Sequence, residues 1–169
     1  MKLFISFLSI IFMFVSCGKG ENESNSVQQE PVVLHPEFEE FVDIIKKNLL
    51  TYHVSADKIK KIDNVSIEFG HLKPNGKLEP VAGVCKIKYT RNKVYSQKIT
   101  IDLKLWQSFS HKYKIEIIAH ELGHCAWGLK HVNASGELMS PVLITNISEP
   151  QWLTFANHIM NAKDDIVGH

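Results

Sequence analysis

Residues 120–131 read HELGHCAWGLKH, the stretch of this chain in which side-chain types and spacing together suggest chemistry. On an ideal helix, advancing 100° per residue, His120 and His124 lie about 40° apart and one turn along, so both imidazoles leave the same face. Two neutral imidazoles placed this way are natural zinc ligands, each offering a ring nitrogen at about 2.0–2.1 Å. Glu121 follows the first histidine, about 100° round the helix. From there it can accept a proton from a metal-activated water without itself ligating. His131 supplies a further imidazole seven residues beyond His124.

Such a helix has to be bounded and held. Ser110 offers an N-cap ahead of HKYKIEIIAHELGHCAW, and Gly128 offers the left-handed residue that stops it. Ile115, Ile118, Ala119, Leu122, Cys125 and Ala126 gather between roughly 140° and 260° from His120. The expectation is one face for a core and another for ionisable groups.

The longer stretch HELGHCAWGLKHVNASGELMSP resembles the metzincin zinc peptidases, the matrixin branch especially. In that family an HExxH helix ends at a glycine, a third histidine follows, and a methionine turn underlies the metal. The resemblance covers about residues 97–160. It implies one catalytic Zn2+ held by His120, His124 and His131, Glu121 as general base, and Met139 as the turn methionine. Met139-Ser140-Pro141 matches the matrixin habit of a proline two places after that methionine. From Gly128 to His131 is three residues and from His131 to Met139 is eight, both as in the family. The departure lies earlier. The pattern HExxHxxGxxH has its third histidine at the eleventh place, and here it stands at the twelfth. Cys125-Ala126-Trp127 must therefore absorb one extra residue, which rotates the helix exit by about 100°. That keeps a second ligand candidate open: Glu149, 25 residues beyond His124, a distance at which thermolysin-like zincins place a glutamate. The other histidines have no ligand spacing and suit solvated or core roles.

Around this helix the chain supplies short elements. Residues 36–50 place Phe38, Phe41, Val42, Ile45 and Leu49 at helical spacing behind Pro36. Alternating runs at 65–69, 81–89 and 97–105 predict three strands, the last two as a hairpin, with Asn75-Gly76 marking a tight turn. A last helix starts near Glu149 and Pro150, with Glu149 as its cap. The fold class expected is α+β: a minimal metzincin-like domain, its small twisted sheet packed on an N-terminal helix and the HExxH helix, completed by the Met-turn and a C-terminal helix. In the family the substrate peptide lies along the edge strand preceding the catalytic helix, which matches 97–105. The residues after the turn methionine wall the pocket next to the cleaved bond; here they are Pro141, Val142, Leu143 and Ile144.

The chain's ends and composition complete the reading. Residues 1–16, MKLFISFLSIIFMFVS, carry the charged start and short apolar core of a secretory signal. Cys17, with Ser16 before it and Gly18 after it, resembles a bacterial lipoprotein cleavage box, although Phe14 stands where Leu is usual. Residues 17–34 then read as a lipidated cysteine and a polar tether, and 35–169 as the catalytic domain. Cys85 and Cys125 leave two readings open, a disulfide in an oxidising compartment or a pair of buried thiols. Nineteen Lys plus Arg against eighteen Asp plus Glu give +1, which excludes an electrostatic nucleic-acid binder. The expected protein is an exported, monomeric zinc metalloendopeptidase, lipid-anchored to a bacterial cell envelope and acting on peptide or protein substrates. The alternative is a zinc-stabilised envelope binding or adhesion lipoprotein, which would need the metal but not Glu121.

Overall fold

Pro36 opens a 3-10 turn, Pro36–Phe38, in which the His35 ring Nδ1 accepts the Glu37 N–H at 3.3 Å. The turn delivers the chain into helix α1, Glu39–Thr51, whose Phe41, Val42, Ile45 and Leu49 are buried at the expected spacing. The computed structural model describes residues 29–72, 81–90, 93–142 and 147–163. The signal-like segment, Cys17, the Asn75-Gly76 turn, Leu143 and Ile144 lie outside them. After α1 a short helix that the periodicity did not signal, α2 (Ala56–Lys60), is capped by the Ser55 side chain.

Three strands follow: β1 (Val65–Gly70), β2 (Gly83–Thr90) and β3 (Lys93–Asp102), in the order β1-β3-β2. β2 and β3 form the expected antiparallel hairpin, while β1 runs parallel to β3 with Ile67 opposite Ile99. The fold is thus mixed α+β around a small three-stranded sheet. Two details of the expected sheet are corrected. Residues 97–105 are not an edge strand, because Gln97–Ile101 pairs with β1 on one side and β2 on the other. Nor does the strand reach residue 105. Asp102 accepts the Leu105 N–H on Oδ1 at 3.0 Å and turns the chain into helix α3, Leu103–Ser108. The alternation of Ile99, Ile101, Leu103 and Leu105 runs across that boundary, so periodicity alone could not mark it. The outer edge of β1 is covered by the N-terminal segment: the Ile67 N–H donates to Val33 O at 2.8 Å and the His35 N–H to Ile67 O at 3.0 Å. Among the described residues, β2 has no strand on its outer edge.

Helix α4, His111–Trp127, lies against the sheet, with Ser110 accepting the Tyr113 N–H at its start. Its middle is more deeply enclosed than a two-faced helix would be. Glu116, Ile117, His120 and Glu121 are buried together with the apolar stripe. Two ties fix its last turn: Gln97 Nε2 donates to Cys125 O at 2.6 Å, and Trp127 Nε1 donates to Lys58 O at 3.0 Å. Helix α5, Glu149–Asn161, buries Trp152, Phe155, Ala156 and Ile159. Its cap is Ser148 rather than Glu149, since the Ser148 N–H donates to Gln151 Oε1. Among the described residues no helix is long and apolar enough to cross a membrane.

Candidate metal centre

The three histidines converge. Nε2 of His124 lies 3.1 Å from Nε2 of His120 and 3.1 Å from Nε2 of His131, and the remaining pair is 3.2 Å apart. Among the described residues these three form the one cluster of His, Cys, Asp or Glu donors able to hold a metal ion. Glu149 is not part of it; it is the exposed first residue of α5.

Each helical ligand is oriented by a backbone carbonyl. Nδ1 of His120 sits 2.6 Å from Leu138 O, and Nδ1 of His124 sits 2.6 Å from Leu129 O. A carbonyl oxygen only accepts, so both Nδ1 atoms carry the proton, and both Nε2 atoms present bare lone pairs to the shared point. Two such lone pairs 3.1 Å apart repel unless a cation stands between them. A proton is a poor candidate. Burial lowers the His120 pKa to about 4, helped by its two histidine neighbours, and burial also lowers that of His124. A metal ion fits, since tetrahedral bonds of about 2.0–2.1 Å would hold ligand nitrogens roughly 3.3 Å apart.

The extra residue before Gly128 is absorbed at the helix end. Gly128 adopts φ 65°, and its N–H is shared between the Gly123 and His124 carbonyls. The Leu129 N–H also reaches Gly123 O, at 3.0 Å. The Gly128 N–H to His124 O bond, 3.0 Å, is an ordinary helical one, and the Leu129 N–H to Gly123 O bond closes the cap of a helix stopped at a left-handed glycine. Helix α4 runs on through Trp127 before that stop, and His131 still meets the pair. The loop then closes through the Val132 N–H to Met139 O at 3.0 Å.

Met139 is buried against α4 at Gly123, the residue before His124. A Cβ built on Gly123 would lie 2.4 Å from Met139 Sδ and 3.2 Å from Phe155 Cε2. Only glycine lets the methionine come that close. Sequence reading did not single out Gly123, but a signal was there: a glycine inside a helix costs about 1 kcal/mol against alanine and asks for a packing reason.

On the other flank, Glu121 is buried beneath β2. Burial raises its pKa to about 7, opposed by a hydrogen bond from the Cys85 backbone N–H. A Cβ on Gly83 would stand 2.8 Å from Glu121 Cγ. Cys85 and Cys125 form a disulfide with Cα atoms 5.6 Å apart, which decides between the two readings of these cysteines. The partners of Glu121 and the two orienting carbonyls, Leu129 and Leu138, carried no signature in the sequence, because backbone groups have none. Pro141 and Val142 are exposed beyond the turn. Compared with family models, with curated proteins and with solved structures, the chain matches none.

Proposed function

We propose that this chain is a metzincin-like zinc metalloendopeptidase. The observation that carries the reading is the convergence of three imidazole Nε2 atoms 3.1–3.2 Å apart, two of them held bare by carbonyl partners, beside a buried glutamate that follows the first ligand. His120, His124 and His131 would hold the ion, and three protein ligands leave a fourth position open, as catalytic zinc sites do. When bound, zinc supplies a Lewis acid that polarises a carbonyl and brings the pKa of a water toward about 7.

The chain's own residues do the rest. Glu121 takes the proton of the attacking water on its carboxylate and returns it to the leaving amine. Burial, which raises its pKa, favours its taking up that proton. The Cys85 N–H faces one side of that carboxylate. Leu138 O and Leu129 O keep the ligand rings in the tautomer that ligates. Met139 closes the floor behind Gly123 and excludes water from it.

The substrate strand is reassigned with the sheet order. An extended peptide would pair with the outer edge of β2, adding a strand to the sheet beside Glu121. The apolar run opening with Pro141 and Val142 supports an apolar side chain just after the cleaved bond. Cleavage before Leu, Ile, Phe or Met is expected, read from the new N-termini of a digested peptide library; mainly charged residues there would reject the pocket.

The chain is further proposed to be exported and lipid-anchored at Cys17, a reading supported by the apolar run ahead of that residue. The Cys85–Cys125 disulfide suits an oxidising compartment. An acyl mass on Cys17 in the membrane fraction is the expected result, and a soluble product cleaved elsewhere would discard the anchor.

The deciding experiment uses protein made without residues 1–16. It should hold one zinc per chain and cleave unstructured peptides. Glu121→Ala should keep the zinc and lose about 10²–10⁴-fold in rate. Zinc bound without any hydrolysis would favour the envelope binding module instead, and unchanged hydrolysis by Glu121→Ala would refute the mechanism.

A further inference from the structure

A disulfide in a small domain is ordinarily a stabiliser of the fold through its effect on the unfolded chain. The position of this one asks for more. Cys125 follows Glu121 by four residues, so on α4 the two side chains lie about 40° apart, one turn along the same flank. Across the bridge is Cys85, whose backbone N–H faces the Glu121 carboxylate and lowers its pKa. Both ends of one covalent link therefore neighbour the same glutamate.

The pairing of β2 explains why that N–H is available. The Asp102 N–H donates to Ala82 O at 2.9 Å, which sets the phase of the β2–β3 ladder. Hydrogen-bonded and non-hydrogen-bonded pairs alternate in an antiparallel ladder. Gly83 opposite Ile101 and Cys85 opposite Ile99 are then non-hydrogen-bonded pairs, with N–H and C=O turned toward the outer edge. The Cys85 N–H faces Glu121 at that edge. Two residues earlier, Gly83 closes over the same side chain so tightly that a Cβ would lie 3.0 Å from Oε1. β2 has a strand neighbour on one side, and the bridge is its covalent restraint to α4.

We infer that the Cys85–Cys125 disulfide is a positioning device for Glu121: it fixes the height of edge strand β2 over α4, so that the Cys85 N–H and the Gly83 backbone hold the carboxylate in one orientation. The assignment rests on the peptidase reading, in which Glu121 is the base. Cys85, Cys125 and Gly83 are positioning residues and touch no substrate atom in this role.

The test compares zinc-loaded full-length protein with Cys85→Ala/Cys125→Ala and with Gly83→Ala, which keeps the bridge but pushes a methyl at Glu121. A fluorescence-quenched peptide with Leu after the scissile bond is the probe. Both variants should retain one zinc, and kcat should fall about 10- to 100-fold, by more than any change in KM, as expected for an ångström-scale misplacement. Leu49→Ala, a destabilising change in the α1 core, should lower Tm and leave kcat intact. A purely stabilising bridge predicts that the bridge-less variant behaves like Leu49→Ala, and wild-type kcat in a folded, zinc-loaded bridge-less protein would overturn the inference. Should that variant fail to fold, Gly83→Ala decides alone, with undiminished kcat overturning it. A wild-type chain that binds zinc and cleaves nothing would instead defeat the peptidase reading. The hydrogen exchange of the Cys85 amide then settles the geometry: slow in wild type, and at least about tenfold faster in Glu121→Ala and the bridge-less variant if the edge N–H is held as described. Equal rates would overturn it.

Discussion

Helix α4 is gripped on two flanks in different ways. On the sheet flank, β2 is tied by a covalent bond from Cys85 to Cys125 and presses its Gly83 backbone onto Glu121. On the loop flank, residues 129–142 carry no regular helix or strand. They attach through the two histidine–carbonyl bonds, the Val132–Met139 bond and the buried Met139. His131, the candidate ligand on this flank, is exposed, while His120 is buried. The contrast separates two jobs. Glu121, the proposed base, lies under a strand that a disulfide ties to α4, whereas His131, the proposed third ligand, is delivered by a loop attached through polar contacts and the buried Met139.

Removing the metal should break this comparison open most widely. A ligand present at about 1,000 times its Kd contributes about 4 kcal/mol to stability, so chelating the zinc should lower Tm by a corresponding amount. Amide exchange should accelerate across residues 129–142 and stay slow in α4 and β2. Uniform acceleration would show that the two flanks are not independent.

The sheet flank is tested by Glu121→Gln in metal-free protein. A carboxyl whose folded pKa is raised from 4.5 to about 7 contributes stability that is full below pH 4.5 and lost as pH rises through 7. The amide substitute has no such loss, so at pH 8 the variant should be more stable by on the order of 3 kcal/mol in urea denaturation. His120 works in the opposite sense. Its folded pKa is lowered from 6.5 to about 4, so the unfolded chain binds the extra proton and stability falls as pH drops through that window. In the Glu121→Gln variant this acid-side loss should stand uncovered.

Gly123→Ala probes the loop flank. Its methyl would meet Met139 Sδ at 2.4 Å, and overpacking of this kind costs about 1–3 kcal/mol. The damage should register as weaker zinc retention and faster exchange at Leu138 and Met139, with β2 unaffected. Asp102→Ala is the smallest change and lies outside both flanks. It removes the cap of α3 and a bond to the Leu72 N–H, costing about 1 kcal/mol. The backbone N–H bonds of Leu105 and Leu72 hold the Asp102 carboxyl below its ordinary pKa. Its contribution should therefore be present above the usual carboxylate range and lost as pH falls through the folded value, with zinc affinity unchanged.

Local information in the sequence was enough for the elements nearest the chemistry. Helical periodicity and end signals located α1, α4 and α5, because apolar spacing, Ser110 and Gly128 act within a turn or two of themselves. The spacing of His120, His124 and His131 identified the donors that the structure brings together, since two of them need only one helix face and the third needs a turn already marked by glycine. Alternation found three strands but could not order them, because a strand paired on both sides and an edge strand can carry the same pattern. It also ran through Asp102 into α3, where a single capping side chain ends the strand. Only the tertiary structure decided that β3 is central and β2 is the edge, and that Cys85 meets Cys125 across 40 residues of sequence. It alone brought β2 over Glu121 and set two carbonyls behind His120 and His124. Those contacts join backbone groups and residues far apart in the chain, and no local preference encodes which of them will meet.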